Sequence, residues 1–299
     1  MTRRIAFILN EKAGSSDAAV IARHRARIEQ IANGGPVFIL HNGDDIGQKV
    51  DQAIADGCEG VVAGGGDGTL NAVASRLVGT PIVFGVLPLG TLNHFAQDAG
   101  IPLDIEAALD VIDRGETDHV DVGEISGQHF LNNASLGLYV RVVRHRDRQQ
   151  ARLGRGKWPA FAWALWNALR RFPFMTLQMC IDGQDCRCRS PFLFIGNNRY
   201  ETSGLRIGRR QSLQSGALSV YLAQRAGRRR LFELALHALL GRLDSSNDFQ
   251  VFHGQQLKIF SKHVTLQVAT DGEVTRLRTP LECRIHARAL QVYLPAKGA

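Results

Sequence analysis

Residues 60–75 read GVVAGGGDGTLNAVAS, and this run decides how the first half of the chain folds. A short apolar strand passes through Gly64, Gly65 and Gly66 and an aspartate straight into a helix start. Glycines at such a turn let the backbone take conformations closed to other residues and let a ligand approach the amides. The free N–H groups of the helix that begins near Thr69 favour an anion. Asp67 sets a condition on that reading. A carboxylate among phosphate-facing amides repels the phosphate unless a divalent cation bridges the two, or unless the side chain braces the loop by hydrogen bonding. The run is neither of the common glycine-rich fingerprints: it lacks the Gly-Lys-Ser/Thr ending of a Walker A loop, and Thr69 stands where GxGxxG needs glycine. The alternative reading is a tight strand-to-helix turn with no ligand.

Working outward, the apolar runs RRIAFILN, PVFIL, GVVA and PIVFGVLP alternate with helical segments at about 17–33, 45–56, 69–78 and 104–113. Near-continuous apolar strands separated by helices predict a doubly wound parallel sheet, with ligands at the carboxyl ends of the strands. Asn10, the triple glycine and Pro88 all fall at such ends. After about Val120 the pattern becomes strands separated by turn residues, among them HVDVGEI, HFLNNASLGL, MTLQMCID, SPFLFIGN, ALSVYLA, QLKIFS, HVTLQVAT and EVTRLRT. That predicts an antiparallel β domain with helical interruptions at about 141–171 and 228–242. The fold class expected is therefore α/β: an N-terminal doubly wound domain over 1–124 and a C-terminal antiparallel β-sandwich domain with helical insertions over 125–299.

A chain of 299 residues, 44% hydrophobic, is long enough for two lobes. Its formal charge of +8 is unevenly spread: residues 1–124 carry 9 Lys/Arg against 18 Asp/Glu, and residues 125–299 carry 27 against 10. So basic a second half points to an anionic partner, nucleic acid or a membrane surface. No zinc knuckle, aromatic RNA-binding strand or helix-turn-helix signature supports nucleic acid. The segment 141–172 favours the membrane, because a dense arginine run precedes a helix bearing Trp158, Trp163 and Trp166. Basic residues attract anionic head groups while tryptophan and leucine sink to the acyl boundary. The competing reading is a helix packed on the β domain with solvated arginines. Arg228, Arg229 and Arg230 open a second helix, where the dipole disfavours them. Five cysteines without a CxxC pair read as free thiols in a reducing compartment. The five-residue run IAFIL is too short for a signal-peptide core, and no run reaches the roughly 18 apolar residues of a spanning helix. The expected location is cytoplasmic, peripheral at the inner membrane.

A second phosphate-type loop follows the first. VFGVLPLGTLNHFAQDAGIP, residues 83–102, again runs strand, Gly-Thr, helix. Two such turns on adjacent strands would present two helix N-termini and two hydroxyls, from Thr69 and Thr91, to one crevice closed by Asn10, which suits a polyphosphate. Late in the chain, VATDGEVTR at 268–276 contains Asp271-Gly272, a strong two-residue hairpin signal.

GGGDGTLNAV, a PLGTLN segment and a late DGE together resemble the diacylglycerol kinase catalytic family, in particular bacterial soluble lipid kinases that also resemble sphingosine kinases. ILNEKAGS, DVGEI, FLNNASLGL and GNNRYETSG extend the resemblance over nearly the whole chain. GGDGT alone is shared with NAD kinases, and PLGTLN makes the likeness to lipid kinases specific. The resemblance implies transfer of the γ-phosphate of ATP to a lipid hydroxyl, with Mg2+ and a diacylglycerol or sphingoid base as acceptor. By position it implies that Asn10, Gly65, Gly66, Asp67, Gly68, Thr69, Leu70, Asn71 and Thr91 contact the nucleotide. Asp67 and Asp121 are implied near the metal, and Glu273 as general base. For Asp121 the alternative is an exposed strand-end carboxylate, and Asn132 and Asn133 read as satisfying backbone groups at the domain junction.

The chain departs from the family pattern at named positions. His94 stands where the second loop usually carries aspartate, with Asp98 one turn further on. Ser215, in LQSGALS, replaces an aspartate around which some members build an accessory magnesium site, so that metal is expected to be absent or weak. A threonine that often contacts the nucleotide after the second strand is missing, with His41 nearby. Two alternatives remain: a soluble NAD kinase-like enzyme, and a nucleotide- or lipid-binding sensor that has lost catalysis. Sequence gives no oligomeric state.

Overall fold

The computed structural model describes residues 3–11, 18–41, 45–137, 174–200, 210, 212–222 and 250–296. The expected helices at 141–171 and 228–242, the basic aromatic segment 141–172 and Arg228 to Arg230 lie outside the described residues. The chain divides into two compact units, neither contiguous in sequence. The first comprises Met1–Asn132, Ser212–Gly216 and Ile285–Ala299; the second comprises Asn133–Gln211 and Ala217–Arg284. The α/β unit therefore runs to Asn132, past the expected boundary at 124, and takes in two later returns of the chain.

In the first unit the order is β1 (Ile5–Asn10), α1 (Ala18–Ala32), β2 (Val37–Leu40), α2 (Ile46–Ala55), β3 (Gly60–Gly65), α3 (Asp67–Leu77) and β4 (Val83–Pro88). There follow α4 (His94–Asp98), α5 (Ile105–Arg114), β5 (Thr117–Ile125) and β6 (Gln128–Phe130). The strands β2, β1, β3 and β4 lie side by side, all parallel, with Phe7 opposite both Val37 and Val62 and with Gly65 opposite Pro88. Ile5 to Leu9 and all of β3 are buried, as expected of a sheet covered on both faces. Helix α1 packs against α5, and α2 against α3. The chain leaves β1 toward β2 on one side and resumes at β3 on the other. The switch in strand order thus falls between β1 and β3, where an open sheet of this kind leaves a crevice at its carboxyl edge.

Local chemistry accounts for the helix boundaries. Asp45 and Asp104 cap α2 and α5, accepting from Gln48 N at 3.2 Å and Ala107 N at 3.0 Å. Gly115 ends α5 in the left-handed conformation, φ 73°.

The second unit is antiparallel. One sheet runs β12 (Gln250–Gly254), β11 (Leu218–Leu222), β10 (Phe192–Asn197), β7 (Asn133–Gly137), β14 (Thr265–Thr270), β15 (Glu273–Arg278). The other pairs the start of β16 (Leu281–Tyr293) with β13 (Gln256–Ser261), then β8 (Met175–Ile181) and β9 (Gln184–Ser190). The end of β16 belongs to the first unit, where Val292 lies parallel beside Phe84 of β4 and β5 also pairs with the strand. In β8 buried Leu177, Met179 and Ile181 alternate with more exposed neighbours, the pattern of a sheet with one face inward. The α/β class with an antiparallel sandwich is as the sequence predicts. Three strands were not anticipated: β9, β12 and β16.

Candidate active site

The two glycine loops meet backbone to backbone. Gly66 and Gly90 approach so closely that a Cβ on Gly90 would stand 2.5 Å from the Gly66 Cα and 2.8 Å from Asn93 Oδ1. Only glycine fits at position 90, and the approach brings the end of β3 and the end of β4 to one edge. The second loop is closed by Asn93, a buried residue in the left-handed region at φ 49°. Its Oδ1 accepts from Gly90 N at 3.0 Å, and its Nδ2 donates to the Gly90 and Pro88 carbonyls at 2.8 and 3.3 Å. Asparagine tolerates this conformation because its short amide satisfies the local backbone. The turn delays α4 to His94, so the exposed Thr91 sits three residues ahead of the helix.

In the first loop α3 begins at Asp67 after Gly66, and no side chain caps it. Its leading amides remain available to an anion. Asn10, at the end of β1, donates to Thr69 Oγ1 at 3.2 Å, tying the first strand to the glycine loop. Gly65 lies against Thr69, where a Cβ would come within 2.6 Å of the Thr69 Cβ. Gly68 is half-buried in the first turn. Leu70 is fully buried, and its amide bonds Gly66 O at 3.1 Å, so this residue anchors the helix in the core. Asn71 donates to the His129 carbonyl at 3.1 Å and accepts from Ser75 Oγ at 3.5 Å. That fastens α3 to β6.

Asp67 takes up the bracing role that its position allows. Its Oδ2 accepts from His94 N, and its Oδ1 from Phe95 N and Asn132 Nδ2, each at 3.4 Å. The carboxylate of one loop therefore holds the helix that follows the other. These bonds are long, and the side chain stays half-exposed, so the same carboxylate retains room for a cation. His94 is exposed, and Asp98 is half-buried at the other end of α4.

Asp121 is 2% exposed on β5. Its Oδ1 accepts from Arg288 N at 2.8 Å and its Oδ2 from Gly216 N at 2.7 Å, while its own amide donates to Leu213 O at 2.8 Å. Gln214 Nε2 adds a bond to His119 O at 2.6 Å. The carboxylate is thereby committed to clamping the returning segment around Ser215 and the strand β16. Nothing in the sequence distinguished this buried clamp from a metal ligand.

In the second unit Asp271 and Gly272, at φ 47° and 93°, form the two-residue turn between β14 and β15, with Thr270 opposite Glu273. Asp271 is locked to Asn133 by two bonds of 3.0 Å, one from the Asn133 amide to Asp271 Oδ1 and one from the Asp271 amide to Asn133 O. Glu273 opens β15 and is exposed. At Asn133 it is the residue's own backbone that is satisfied, by Asp271, and the side chain of Asn132 serves the Asp67 carboxylate in place of a backbone group.

A family model described as diacylglycerol kinase catalytic domain matches residues 4–125, and one described as YegS C-terminal NAD kinase beta sandwich-like domain matches residues 132–294. Proteins named "Probable lipid kinase YegS-like" from Yersinia pestis (strain Pestoides F) and Yersinia pseudotuberculosis serotype O:1b (strain IP 31758) are each 39% identical over 116 residues. That stretch is 37% of this chain and 39% of each relative, so the chain spans about two fifths of the length of the curated relatives it matches. A crystal structure of a putative diacylglycerol kinase from Bacillus anthracis str. Sterne superposes with a TM-score of 0.73 at 21% identity, covering 99% of this chain and 98% of that one. Likeness at that identity speaks for the fold.

Proposed function

The chain belongs to the diacylglycerol kinase catalytic family, and from that premise we propose that it is an ATP-dependent lipid kinase, transferring the γ-phosphoryl group to the hydroxyl of a diacylglycerol or sphingoid base-like lipid. The observation that carries this reading is the backbone contact of Gly66 with Gly90. It joins two glycine loops at one sheet edge, with the uncapped start of α3 between them and Asn10 holding Thr69. Such an edge offers amides to more than one phosphate at once.

Phosphoryl transfer asks the protein mainly for positioning and charge neutralisation. Gly65, Gly66, Gly68 and Thr69 would hold the phosphates by their backbone, with Asn71 keeping α3 in place and the exposed Thr91 offering a hydroxyl. Mg2+, when bound, neutralises phosphate oxygens, and it commonly takes one or two carboxylates besides phosphate and water. The half-exposed carboxylate of Asp67 fits that demand. Asp121 is 2% exposed and each of its oxygens accepts a short amide bond, so it is less accessible to the ion than Asp67 is. Glu273 is exposed, as a base that meets a substrate from outside must be. It would take the hydroxyl proton as the lipid oxygen bonds to the γ-phosphorus and the bond to ADP breaks.

The test is incubation with γ-labelled ATP, Mg2+ and a panel of diacylglycerol, sphingoid base and NAD. Labelled lipid from the wild-type protein, lost in Glu273→Gln by about 10²-fold or more, is expected. No labelled lipid refutes the kinase reading, label on NAD transfers it to a soluble acceptor, and an unimpaired Glu273→Gln removes the base assignment. Among the described residues no helix is long and apolar enough to cross a membrane. The proposed membrane contact rests on the composition of residues 141–172, and salt-sensitive binding to anionic vesicles tests it.

A further inference from the structure

Three residues outside the proposed phosphate edge gather on one face of the first unit. Glu124 on β5 lies opposite His129 on β6 in the antiparallel register, and β5 also pairs with β16, which carries His286. Side chains directly opposed across neighbouring strands project to the same side. The outcome is a row of imidazole, carboxylate and imidazole. His286 Nε2 lies 2.6 Å from Glu124 Oε2, and His129 Nε2 lies 4.0 Å from that same oxygen. The two rings meet edge-on with centroids 5.5 Å apart, and the three ligand atoms all fall within 4.8 Å of one another.

We propose that Glu124, His129 and His286 bind a divalent transition-metal cation of the Zn2+ class. Two imidazole nitrogens with one carboxylate oxygen form a borderline donor set that suits Zn2+, whereas Mg2+ favours oxygen alone. With metal–ligand bonds near 2.0–2.1 Å, tetrahedral neighbours stand about 3.4 Å apart. The observed 2.6 and 4.0 Å bracket that value, so a cation enters by opening one contact and closing the other, each by less than 1 Å. The Nε2 proton that His286 shares with Glu124 moves to Nδ1, or leaves to solvent from the imidazolium.

The carboxylate is already aimed. Glu124 Oε1 accepts from Gly127 N at 3.1 Å, which turns Oε2 toward the histidines in the way outer hydrogen bonds orient metal ligands. Side-chain exposures of 11%, 23% and 28% leave a path from solvent, and a water completes the fourth position. All three ligands ride on sheet backbone, and the His129 carbonyl receives Asn71 of α3. A cation here ties three strands together and bears on the helix that starts at the glycine loop.

The experiment uses the full chain without a polyhistidine tag, stripped by chelator and titrated calorimetrically with Zn2+. A parallel Co2+ titration is followed by visible absorption. Expected are one equivalent of Zn2+ and four-coordinate Co2+ bands, insensitive to excess Mg2+. Affinity should fall at least about tenfold in His129→Ala and His286→Ala and stay unchanged in the exposed control His263→Ala. Glu124→Gln keeps the size of the side chain and its bond to Gly127 while removing the charge. It should weaken binding similarly with an unaltered circular dichroism spectrum, which covers the case of a histidine variant that misfolds. No stoichiometric binding by the wild-type protein, or binding that survives these substitutions, overturns the site.

Discussion

Replacing Asp67 separates its two roles, because bracing and metal binding respond differently to loss of charge at constant shape. As a brace, the carboxylate accepts from the first two amides of α4 and from Asn132, all at 3.4 Å. It also lies in the first turn of α3, where a negative charge complements the helix dipole. Losing a cap costs about 0.5–2 kcal/mol, and bonds this long place it at the low end, while the dipole contributes about 0.3–1 kcal/mol. Asp67→Ala removes both, so destabilisation of about 1–2 kcal/mol is expected. Asp67→Asn keeps one acceptor at the same place and should lose about half as much. For a unit of this size 1 kcal/mol moves Tm by about 2–4 °C, so Asn should melt about 1–4 °C lower and Ala about 2–8 °C lower.

Transfer follows a different scale. If Asp67 holds Mg2+ against the phosphates, removing its charge takes away stabilisation made where charge develops, a loss of about 10²–10³ in kcat. Thermal melting and labelled-ATP turnover over a range of Mg2+ concentrations measure the two effects on the same preparations. A large fall in kcat for Asn with Tm nearly unchanged supports the metal role. Turnover by Asn within about threefold of wild type, with Ala losing activity only in step with its stability, would refute it and leave the brace alone.

Gly90→Ala would force a Cβ to within 2.5 Å of the Gly66 backbone, which cannot yield as a side chain could. Overpacking of about 1–3 kcal/mol predicts a Tm lower by about 2–12 °C together with weaker nucleotide binding, and an unchanged melting curve would contradict the loop contact. Cys188 is buried on β9, and burial pushes its thiol up from 9.0 to about 11. It should resist iodoacetamide at pH 8 while the half-buried Cys186 reacts, as peptide mapping can read. Since the folded state holds this proton more tightly, its contribution to stability is complete below pH 9 and is lost as the pH climbs toward 11. A stability that rises across that window in wild type but not in Cys188→Ala would contradict the burial argument.

The first unit was legible because its strands are buried on both faces and therefore spell continuous apolar runs. IAFIL, GVVA and VFGVLP are of that kind, and each is a strand within a residue or two of the reading. Two of the strands that escaped notice, β9 and β16, carry charge on an exposed face, and β12 is short with only Gly254 buried. QDCRCRS places only Cys188 and Ser190 inward, and LECRIHARALQVY alternates so irregularly that no single period marks it. Its first part pairs with β13 and its last part with β4, two environments with different demands on burial. A local pattern records the face a residue turns to its surroundings. It does not record that the chain returns to an earlier sheet, which is why the first unit takes in residues far beyond 124.

The site divides along the same physical line. Glycines were readable because the close approach of two backbones excludes every other residue at position 90. Carboxylates were not, since the sequence gives their charge and not what their oxygens accept. Asp67 and Asp121 look alike in sequence, each beside a Gly-containing turn or strand. One is half-exposed with three bonds of 3.4 Å, and the other is 2% exposed with two bonds under 3 Å. A cation can compete for the first carboxylate far more easily than for the second. Asn93 was quoted within its motif without a role, yet its left-handed backbone and three amide bonds shape the second loop. The row of Glu124, His129 and His286 had no sequence signal at all, since its members come from strands 162 residues apart that only the closing of β16 onto β5 brings together.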